Sequence, residues 1–371
     1  MYGEDIHPNR RKFTPKAIRA MRKHVSHTHH EAPVLKPGET LRVNLPKLSY
    51  DDVIVPGSYF ISFALNVLSD KDKARSVVPN VGRKIIKSLR ILFENKDVLF
   101  IEDYDEVMSY WDLWLSEKEK SRRVSQGIHT ENGLKLRVSA SSAKGDAEED
   151  AIAKTRKNRF RIPIDFALLD DVGPYHPHSM KDQLKLELVL NDPKAIILGS
   201  SPALAASADR DYSYTVTDIR MEWDQVTNAS LARELEMIQN SIEVPYKNLI
   251  RYDYQDIEKS KININFPLNI TPESLSHILI FAIDSDDRKP FAHTSIYRNL
   301  DITDIKIKIG GNANQLYDGG MLTEHTYDQA VKLFKENGVS EGEFLTKRNT
   351  LCASTSDRVQ WTDCTAMGRV W

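Results

Sequence analysis

The strongest structural signal in the sequence is YTVTDIRMEW at residues 214–223, in which apolar and polar side chains alternate. A second stretch of the same kind is LKLELVL at residues 184–190. Successive side chains of a β-strand point to opposite faces of its sheet, so a period of two residues indicates one buried and one exposed face. Both stretches therefore predict half-buried β-strands.

Similar short stretches recur from residue 41 onward, at intervals of roughly ten residues. The first is LRVNLPKL at residues 41–48, and a later pair is joined by a predicted turn at residues 94–97. After residue 240 the pattern begins again with KININFPLNI, HILIFAID and DITDIKIKIG. Short strands separated by turn residues are typical of a β-sandwich or barrel. The sequence thus predicts an all-β protein whose two halves loosely repeat one arrangement.

Four stretches are predicted to be helices instead, and the last of them is TYDQAVKLFKENG at residues 326–338. Thr14-Pro15 followed by KAIRAMRKHV predicts a short N-terminal helix with a capping residue and a proline in its first turn. Residues 231–240 carry one apolar stripe and mark the predicted boundary between the halves. In residues 104–128 an apolar face is formed by Val107, Tyr110, Trp111, Trp114 and Leu115. Helical spacing favours packing for the two tryptophans, with a ligand platform as the alternative.

The chain of 371 residues is long enough for about two domains. Its 51 Lys and Arg residues against 53 Asp and Glu give a formal net charge of −2, and 40% of its residues are hydrophobic. These values exclude a chain that is disordered throughout. No apolar run approaches the roughly 18 residues that a membrane helix needs, so no transmembrane segment is predicted.

The N-terminus and the cysteines indicate the cellular compartment. The opening sequence MYGEDIHPNRRKF lacks the apolar segment of a secretory signal. The two cysteines, Cys352 and Cys364, are too few for a disulfide framework and indicate a reducing compartment. We therefore expect a protein that is not secreted.

Positive charge is concentrated in residues 1–30, where seven basic residues accompany only Glu4 and Asp5. The basic residues are Arg10, Arg11, Lys12, Lys16, Arg19, Arg22 and Lys23. One interpretation is an arm that binds nucleic acid by neutralising phosphates and releasing counterions. The other is a solvated arm, which the scarcity of stacking aromatic residues favours, since only Tyr2 and Phe13 are present.

Motifs associated with catalysis or metal binding are weak. GVSEG at residues 338–342 matches the G-x-S-x-G nucleophile motif as a string, but it follows a predicted helix rather than a strand. The acidic run at 284–287 lacks the glycine and the glutamate of a calcium loop. The histidines at 27, 29 and 30 would hold a metal only weakly in an open arm, and a polar arm without metal is favoured. We predict a protein that is not an enzyme and has no cofactor.

Several separated blocks of the sequence, taken in their order along the chain, resemble one protein family. The most distinctive are Asp103-Tyr104-Asp105 and YWDLWLSEKE at residues 110–119, preceded by LRVNLPKLSYDDVIVPGS at residues 41–58. The remaining blocks are residues 80–83, 88–93, 126–128, 161–164, 169–175, 301–305 and 314–321. Together they resemble the major capsid proteins of Polinton (Maverick) elements and the related adintoviruses. The resemblance extends over residues 40–371.

This resemblance implies a double jelly roll, which is two eight-stranded antiparallel β-sandwiches in one chain, with short helices in the connections. The family's proteins form trimers, and these are the pseudo-hexagonal capsomers of an icosahedral shell around a double-stranded DNA genome. The implied protein is structural and belongs to the virion capsid, assembled inside the host cell. Its implied partners are further copies of the chain, penton or minor capsid proteins, and genomic DNA through the basic arm.

Charge marks a basic N-terminal arm at 1–40, and the helix pattern marks a linker helix at 227–241. The resemblance then implies a first jelly roll at 41–226 and a second at 242–371. A late block of the second jelly roll is similar to residues 359–363 and 368–370, after which family members continue with further strands. The second jelly roll is therefore expected to be incomplete at its C-terminal end. Either the sequence is truncated or the last strands are supplied in another way, and a missing strand would leave an unpaired sheet edge.

Two other functions stay open. A domesticated or decayed capsid-derived copy, encoded in a host genome, would keep its jelly rolls as a binding module without assembling shells. A ligand-binding or enzymatic jelly-roll protein is the further alternative, because this architecture supports many functions.

Overall fold

The structure is a computed structural model of the 371-residue chain. The residues that it describes are 21–28, 34–45, 47–68, 76–78, 80–113, 115, 116, 118, 120, 123–127, 158–164, 176–198, 213–239, 265, 277–279, 282, 283, 297, 298, 304–306, 308, 309, 312, 313, 321, 322 and 367–369. The chain divides into two compact units, which consist of residues 1–105 with 124–251 and of residues 106–123 with 252–371.

Most of the described residues belong to the first unit. Its strands are β1 (Met21–Thr28), β2 (Val34–Leu35), β3 (Thr40–Asn44), β4 (Asp52–Ile54), β5 (Phe60–Leu68), β6 (Ser76–Val77), β7 (Ile86–Phe93), β8 (Lys96–Ile101), β9 (Asn158–Pro163), β10 (Lys185–Leu190), β11 (Ile197–Leu198) and β12 (Ser213–Thr227). The α-helices whose bounds are described are α1 (Val81–Lys84), α2 (Tyr104–Leu113), α3 (Pro193–Ile196) and α4 (Ala229–Gln239).

Two antiparallel sheets contain nearly all of these strands. The first has the order β1-β12-β5-β9, and β2 and β4 also pair with β12. Their registers show that β2 continues β1 along one side of β12, whereas β4 and β5 lie along the other side. The second sheet has the order β3-β10-β7-β8. The remaining pair, β6 with β11, is short.

The strand order is that of a jelly roll. When β1 and β2 count as one strand and β4 and β5 as another, the first sheet contains the first, eighth, third and sixth strands along the chain. The second sheet contains the second, seventh, fourth and fifth. Eight antiparallel strands interleaved between two sheets in this way define the jelly roll. The prediction of an all-β protein is confirmed.

The core of the first unit lies between the two sheets. In β10 the inward side chains Leu186, Leu188 and Leu190 are buried and alternate with partly exposed residues. The same period continues along β12, where Met221 and Trp223 are buried. A small cavity of about 20 Å³ lies between the sheets and is lined by apolar side chains. The two alternating stretches of the sequence therefore form central strands of the two sheets.

The predicted turn between β7 and β8 is confirmed and is tight. Glu94 and Asn95 connect the strands, with φ of 50° and 61°. Two central residues with positive φ are the feature of a type I′ turn, whose twist matches that of the flanking strands.

Two helix predictions are confirmed, one over a shorter range. Asn228 caps α4 by accepting hydrogen bonds from the backbone N–H groups of Ser230 and Leu231. Ala232 and Leu235 of α4 pack against Val53 of β4. The helix predicted at 104–128 is shorter than expected, since α2 ends at Leu113 and a separate 3₁₀ turn spans Val124–Gln126.

The prediction of an N-terminal helix that includes residues 21–25 is wrong. These residues belong to β1, which pairs with β12 from Met21 opposite Thr227 to Thr28 opposite Arg220. The edge of β12 offers backbone partners along this whole length, and such tertiary pairing overrides a weak local helix propensity.

Short antiparallel pairs are described in the second unit. Its strands are β13 (His277–Leu279), β14 (Ala282–Ile283), β15 (Tyr297–Arg298), β16 (Asp304–Ile305), β17 (Lys308–Ile309), β18 (Asn312–Ala313), β19 (Met321–Leu322) and β20 (Met367–Arg369). The pairs are β13 with β20, β14 with β15, β16 with β19, and β17 with β18. The second jelly roll and its expected C-terminal incompleteness stay predictions.

Candidate functional site

The predicted nucleic-acid arm is described only at its end. Arg22 and Lys23 lie on β1, opposite Val226 and Gln225 of β12, and the Lys23 side chain is exposed. The other basic residues of the prediction, Arg10, Arg11, Lys12, Lys16 and Arg19, lie outside the described residues. The proposed role of the arm therefore stays a prediction.

A network of charged side chains covers the outward face of the first sheet. Glu222 of β12 accepts hydrogen bonds from Ser62 Oγ at 2.6 Å and from Arg161 Nε at 2.6 Å. The guanidinium of Arg161 also stacks on the ring of Phe60, 3.5 Å from its centroid. Glu222 thus connects β12 with β5 and β9 across the sheet.

Asp218 forms a second centre of this network, at a bulge in β12. Its φ is 51°, and the register with β5 shifts between Thr217 and Arg220. Its carboxylate accepts hydrogen bonds from Arg159 and from Arg220. A bulge re-aims a side chain, and here the carboxylate lies between two guanidinium groups.

The arginines hold both carboxylates in their charged form. Burial raises the pKa of Glu222, but hydrogen bonds from Ser62 and Arg161 and the charges of Arg161 and His24 outweigh it, so the pKa lies below its ordinary value. Burial likewise raises the pKa of Asp218. Its contacts with Arg220 and Arg159 have a larger, opposite effect, so the pKa lies below its ordinary value.

His24 joins the edge strand β1 to this network. Its Nδ1 lies 2.9 Å from Asp224 Oδ1, and its Nε2 lies 3.6 Å from Glu222 Oε2. The sequence does not indicate this role for His24, because its carboxylate partners lie about 200 residues away along the chain.

A similar but simpler ladder crosses the outward face of the second sheet. Glu187 of β10 pairs with Arg42 of β3 at 3.0 Å and with Arg90 of β7 at 3.8 Å. Arg90 in turn pairs with Asp97 of β8 at 2.7 Å. The charges alternate in sign across the four strands, so this face is polar, with Phe100 42% exposed at its edge.

A polar cluster is buried where α1 begins. Arg83 is 0% exposed, donates a hydrogen bond to the hydroxyl of Tyr104, and donates a second to the carbonyl of Pro163 at 3.2 Å. Buried guanidinium groups are costly unless they are hydrogen-bonded in this way. Arg83 therefore fixes α1 against the start of α2 and the end of β9.

Close backbone contacts complete this cluster. The backbone N–H of Asn80 donates to the carbonyl of Gly127 at 2.8 Å. A side chain on Gly82 would clash with the backbone carbonyl of Gln126, so this position requires glycine. Gly127 has a φ of 86°, which also favours glycine.

Asn191 extends the cluster toward β12. Its side-chain amide donates to the carbonyl of Lys84 at 3.0 Å and to Asp105 Oδ2 at 2.8 Å. Its own carbonyl accepts a hydrogen bond from the buried Tyr214 hydroxyl. Burial and the nearby Asp192 raise the pKa of Tyr214, which keeps this hydroxyl protonated as a donor.

The cluster brings together four blocks that carry the capsid-protein resemblance. Residues 80–83, 103–105, 126–127 and 161–164, which belong to four of these blocks, are separated along the chain and meet around Arg83. The sequence identified these blocks but not their contact. Asn191 and Tyr214, which support them, could not be identified from the sequence, because a single asparagine or tyrosine carries no specific pattern.

No protein-family model matches the chain, and no curated protein matches it in sequence. Among solved structures, the chain is similar to PBCV-1 VP54 fitted into a cryo-EM reconstruction of the virophage Sputnik, with a TM-score of 0.35 and 12% identity, over 58% of this chain and 45% of that chain. It is similar to the cryo-EM structure of the Sputnik virophage, with a TM-score of 0.35 and 11% identity, over 56% of this chain and 48% of that one. It is also similar to the mavirus major capsid protein, with a TM-score of 0.32 and 11% identity, over 56% of this chain and 46% of that one. The match thus spans less than half the length of each of these solved chains.

A small aromatic cluster surrounds His176, which precedes the 3₁₀ turn at Pro177–Ser179. His176 is 0% exposed, its Nε2 lies 2.6 Å from the carbonyl of Tyr50, and the two rings are edge-on at 5.5 Å. The Tyr50 hydroxyl donates to Glu236 of α4 at 2.6 Å, and this hydrogen bond raises the pKa of Tyr50. The cluster fixes α4 and two loops, so its role is packing.

The remaining sequence motifs form no site among the residues that the structure describes. The runs at 284–287 and 338–342, and both cysteines, lie outside the described residues, as do His29, His30 and Trp114. Within the described part of the chain, no group of three or more His, Cys, Asp or Glu side chains is arranged to hold a metal ion. No helix in that same part is long and apolar enough to cross a membrane.

Proposed function

We propose that this chain is a structural, non-enzymatic capsid subunit of the Polinton-like double jelly-roll type. The observation that supports this most is the meeting of four resemblance blocks around Arg83 within a sandwich of jelly-roll strand order. Blocks that scatter along a sequence by chance have no reason to share one buried cluster. Their contact indicates that the resemblance reflects shared packing.

The surfaces of the first unit support the same proposal. Both outward sheet faces carry ion pairs that connect strands of the same sheet. The cavity between the sheets, at about 20 Å³, is close to the size of one water molecule. This cavity is therefore too small for a ligand of ordinary size, which needs hundreds of Å³. A packed sandwich with ion-paired faces is compatible with a structural subunit.

The finer parts of the proposal follow the resemblance. We propose a homotrimer that forms a pseudo-hexagonal capsomer of an icosahedral shell around double-stranded DNA, located in the virion and meeting penton or minor capsid proteins. The proposed domains are an arm at 1–40, jelly rolls at 41–226 and 242–371, and a linker helix at 227–241. Residues 21–28 and 34–35 of this arm pair with β12.

The oligomeric state of the purified full chain tests the proposal. Size-exclusion chromatography with light scattering at micromolar concentration is expected to give three times the mass of the chain, and electron microscopy a pseudo-hexagonal outline. A persistent monomer with an intact fold would overturn the capsid role and would favour a domesticated or decayed copy.

The basic arm is proposed to contact genomic DNA through Arg10, Arg11, Lys12, Lys16, Arg19, Arg22 and Lys23. The test replaces the first five by glutamine in the full chain, which leaves β1 unchanged. Binding to duplex DNA, measured by anisotropy over a range of salt, should weaken. The slope of log K against log salt should fall by about one for each phosphate that the arm no longer neutralises. Unchanged binding would refute this role of the arm.

A further inference from the structure

The outward face of the second sheet carries a row of side chains that crosses all four strands. The strand registers place Arg42 of β3, Glu187 of β10, Arg90 of β7 and Phe100 of β8 side by side. Asp97 of β8 lies one row away, opposite the residue that follows Ile91 in β7, and pairs with Arg90. We call these five side chains, without Ile91, the charged row. From β3 to β8 the row is positive, negative, positive, and then aromatic and negative.

The charged row is open to solvent. The side chain of Arg42 is 76% exposed, and those of Arg90 and Asp97 are 41% and 42% exposed. Phe100 is a large apolar side chain that is also exposed. Arginine and aromatic residues are enriched at protein interfaces. The row therefore presents side chains that commonly form contacts between proteins.

The order of the charges makes the row complementary to a second copy of itself. Two such faces can meet around a two-fold axis that runs parallel to the strands, midway between β10 and β7. The strand β10 of each copy then lies against β7 of the other, and β3 lies against β8. Glu187 faces Arg90 of the second copy, and Arg42 faces Phe100, one row from Asp97. The axis forms each of these contacts twice.

Other partners and orientations fit this face less well. An axis perpendicular to the strands would place each strand against itself, so that Arg42 would face Arg42 and Glu187 would face Glu187. Contacts between like charges oppose association. A partner with charges of one sign, such as nucleic acid, would meet Glu187 and Asp97 as well as the arginines. The order of charges thus favours a second copy in one orientation.

We propose that the outward face of the second sheet is a two-fold contact between copies of this chain, formed by Glu187 with Arg90 and by Arg42 with Phe100 and Asp97. Four strands of about five residues form a face of about 20 Å by about 17 Å. This area is well below the roughly 800 Å² per partner of a stable interface, so the contact is weak and requires a high concentration of the chain. The contact does not depend on the proposed capsid function.

Reversal of charge in the full chain tests the contact. Arg42→Asp places an acid near Asp97 of the second copy, and Asp97→Arg places a base near Arg42, so each variant alone should associate less than the wild type. An exposed ion pair shifts an equilibrium by up to about five-fold, and each pair is formed twice, so the dissociation constant should rise by about ten-fold or more. Sedimentation equilibrium at high micromolar concentration measures the association of the smallest species, whether that species is one chain or three.

A mixture of the two variants separates this contact from the ion pairs within one sheet. In the mixture the new acid of Arg42→Asp faces the new base of Asp97→Arg, so association should recover. The double variant should also associate, although it loses both the pair of Arg42 with Glu187 and the pair of Arg90 with Asp97. The matched control is Lys194→Asp on α3, which makes the same change in net charge as Arg42→Asp at another exposed position and should behave as the wild type.

Circular dichroism of each variant verifies that it is folded, and the milder changes Arg42→Gln and Asp97→Asn should weaken association in the same direction. A wild-type chain that does not associate beyond its smallest species would overturn the proposal. So would single variants that associate as the wild type does, or folded variants whose mixture stays dissociated. The size of the smallest species tests the proposed function separately, because a trimer supports that function and a monomer opposes it whatever the mixture shows.

Discussion

Single residues fix the first jelly roll where chain segments cross at close range. Gly82 touches the carbonyl of Gln126, and the guanidinium of Arg83 is enclosed beside it. These positions tolerate little change, because the neighbouring atoms are backbone and cannot rotate away. The charged side chains on the sheet faces can change conformation. Substituting them is therefore expected to alter the pH dependence of stability more than the packing.

Substitution of Gly82 by alanine is expected to lower the free energy of unfolding by about 2–3 kcal/mol, because the added methyl group displaces the Gln126 backbone. The control is Gly38→Ala, at a position with a φ of 78° and open space around it, where only conformational strain of about 1 kcal/mol is expected. Urea unfolding of both variants measures the difference. A Gly82 variant that loses no more stability than the Gly38 variant would show that the contact relaxes.

Protonation of Glu222 is expected to make the first unit less stable in acid. Its pKa is lower in the folded chain than its ordinary value of 4.5, so the unfolded chain binds a proton more readily. Its contribution is therefore complete above pH 4.5 and is lost as the pH falls through the folded-state pKa. Unfolding measured between neutral and acidic pH should show a smaller acid loss in Glu222→Gln than in the wild type. The exposed Glu102→Gln variant should follow the wild type, and parallel curves for Glu222→Gln and the wild type would contradict this role.

At the scale of elements, the antiparallel hairpin of β7 and β8 contains a turn residue that is unfavourable for its backbone conformation. Both turn residues have positive φ, which Asn95 tolerates and Glu94 does not. The hairpin forms because its strands bury Leu89, Ile91 and Leu99, so tertiary packing outweighs the local strain.

Replacement of Glu94 by glycine is expected to raise the free energy of unfolding by about 0.5–1 kcal/mol, because glycine adopts this φ without strain. The change also removes an ion pair of 3.2 Å with the exposed Lys181. The control Lys181→Met removes only that pair and should change stability by less than about 0.5 kcal/mol. Thermal unfolding separates the two effects, and a destabilised Glu94→Gly variant would argue against strain in the turn.

At the scale of the whole molecule, the chain consists of two compact units. The first has its own two-sheet core and its own buried polar cluster around Arg83. A unit with a separate core is expected to unfold as a separate cooperative transition.

Calorimetry of the full chain should therefore show more than one two-state transition, with a calorimetric enthalpy above the van 't Hoff value. Gly82→Ala and Glu94→Gly should shift the same transition in opposite directions and leave the other in place. A single transition with equal enthalpies, shifted as a whole by either variant, would show that the units unfold together.

Much of the first unit could be predicted from short-range patterns in the sequence. The alternation in β10 and β12, the turn at Glu94 and the helix after Asn228 depend on neighbouring residues, and all are present. The strand β1 could not be predicted in this way, because its partner β12 lies about 200 residues away and its own sequence has no strong period.

Periods, turns and caps can be read from the amino-acid sequence, because they depend on contacts between residues a few positions apart. The blocks that resemble capsid proteins are likewise visible in the sequence. The folded chain alone reveals that four of these blocks enclose Arg83, and that His24 lies between Asp224 and Glu222. Such contacts join residues distant along the chain, and they form only when the pairing of strands into two sheets brings their side chains within hydrogen-bond distance.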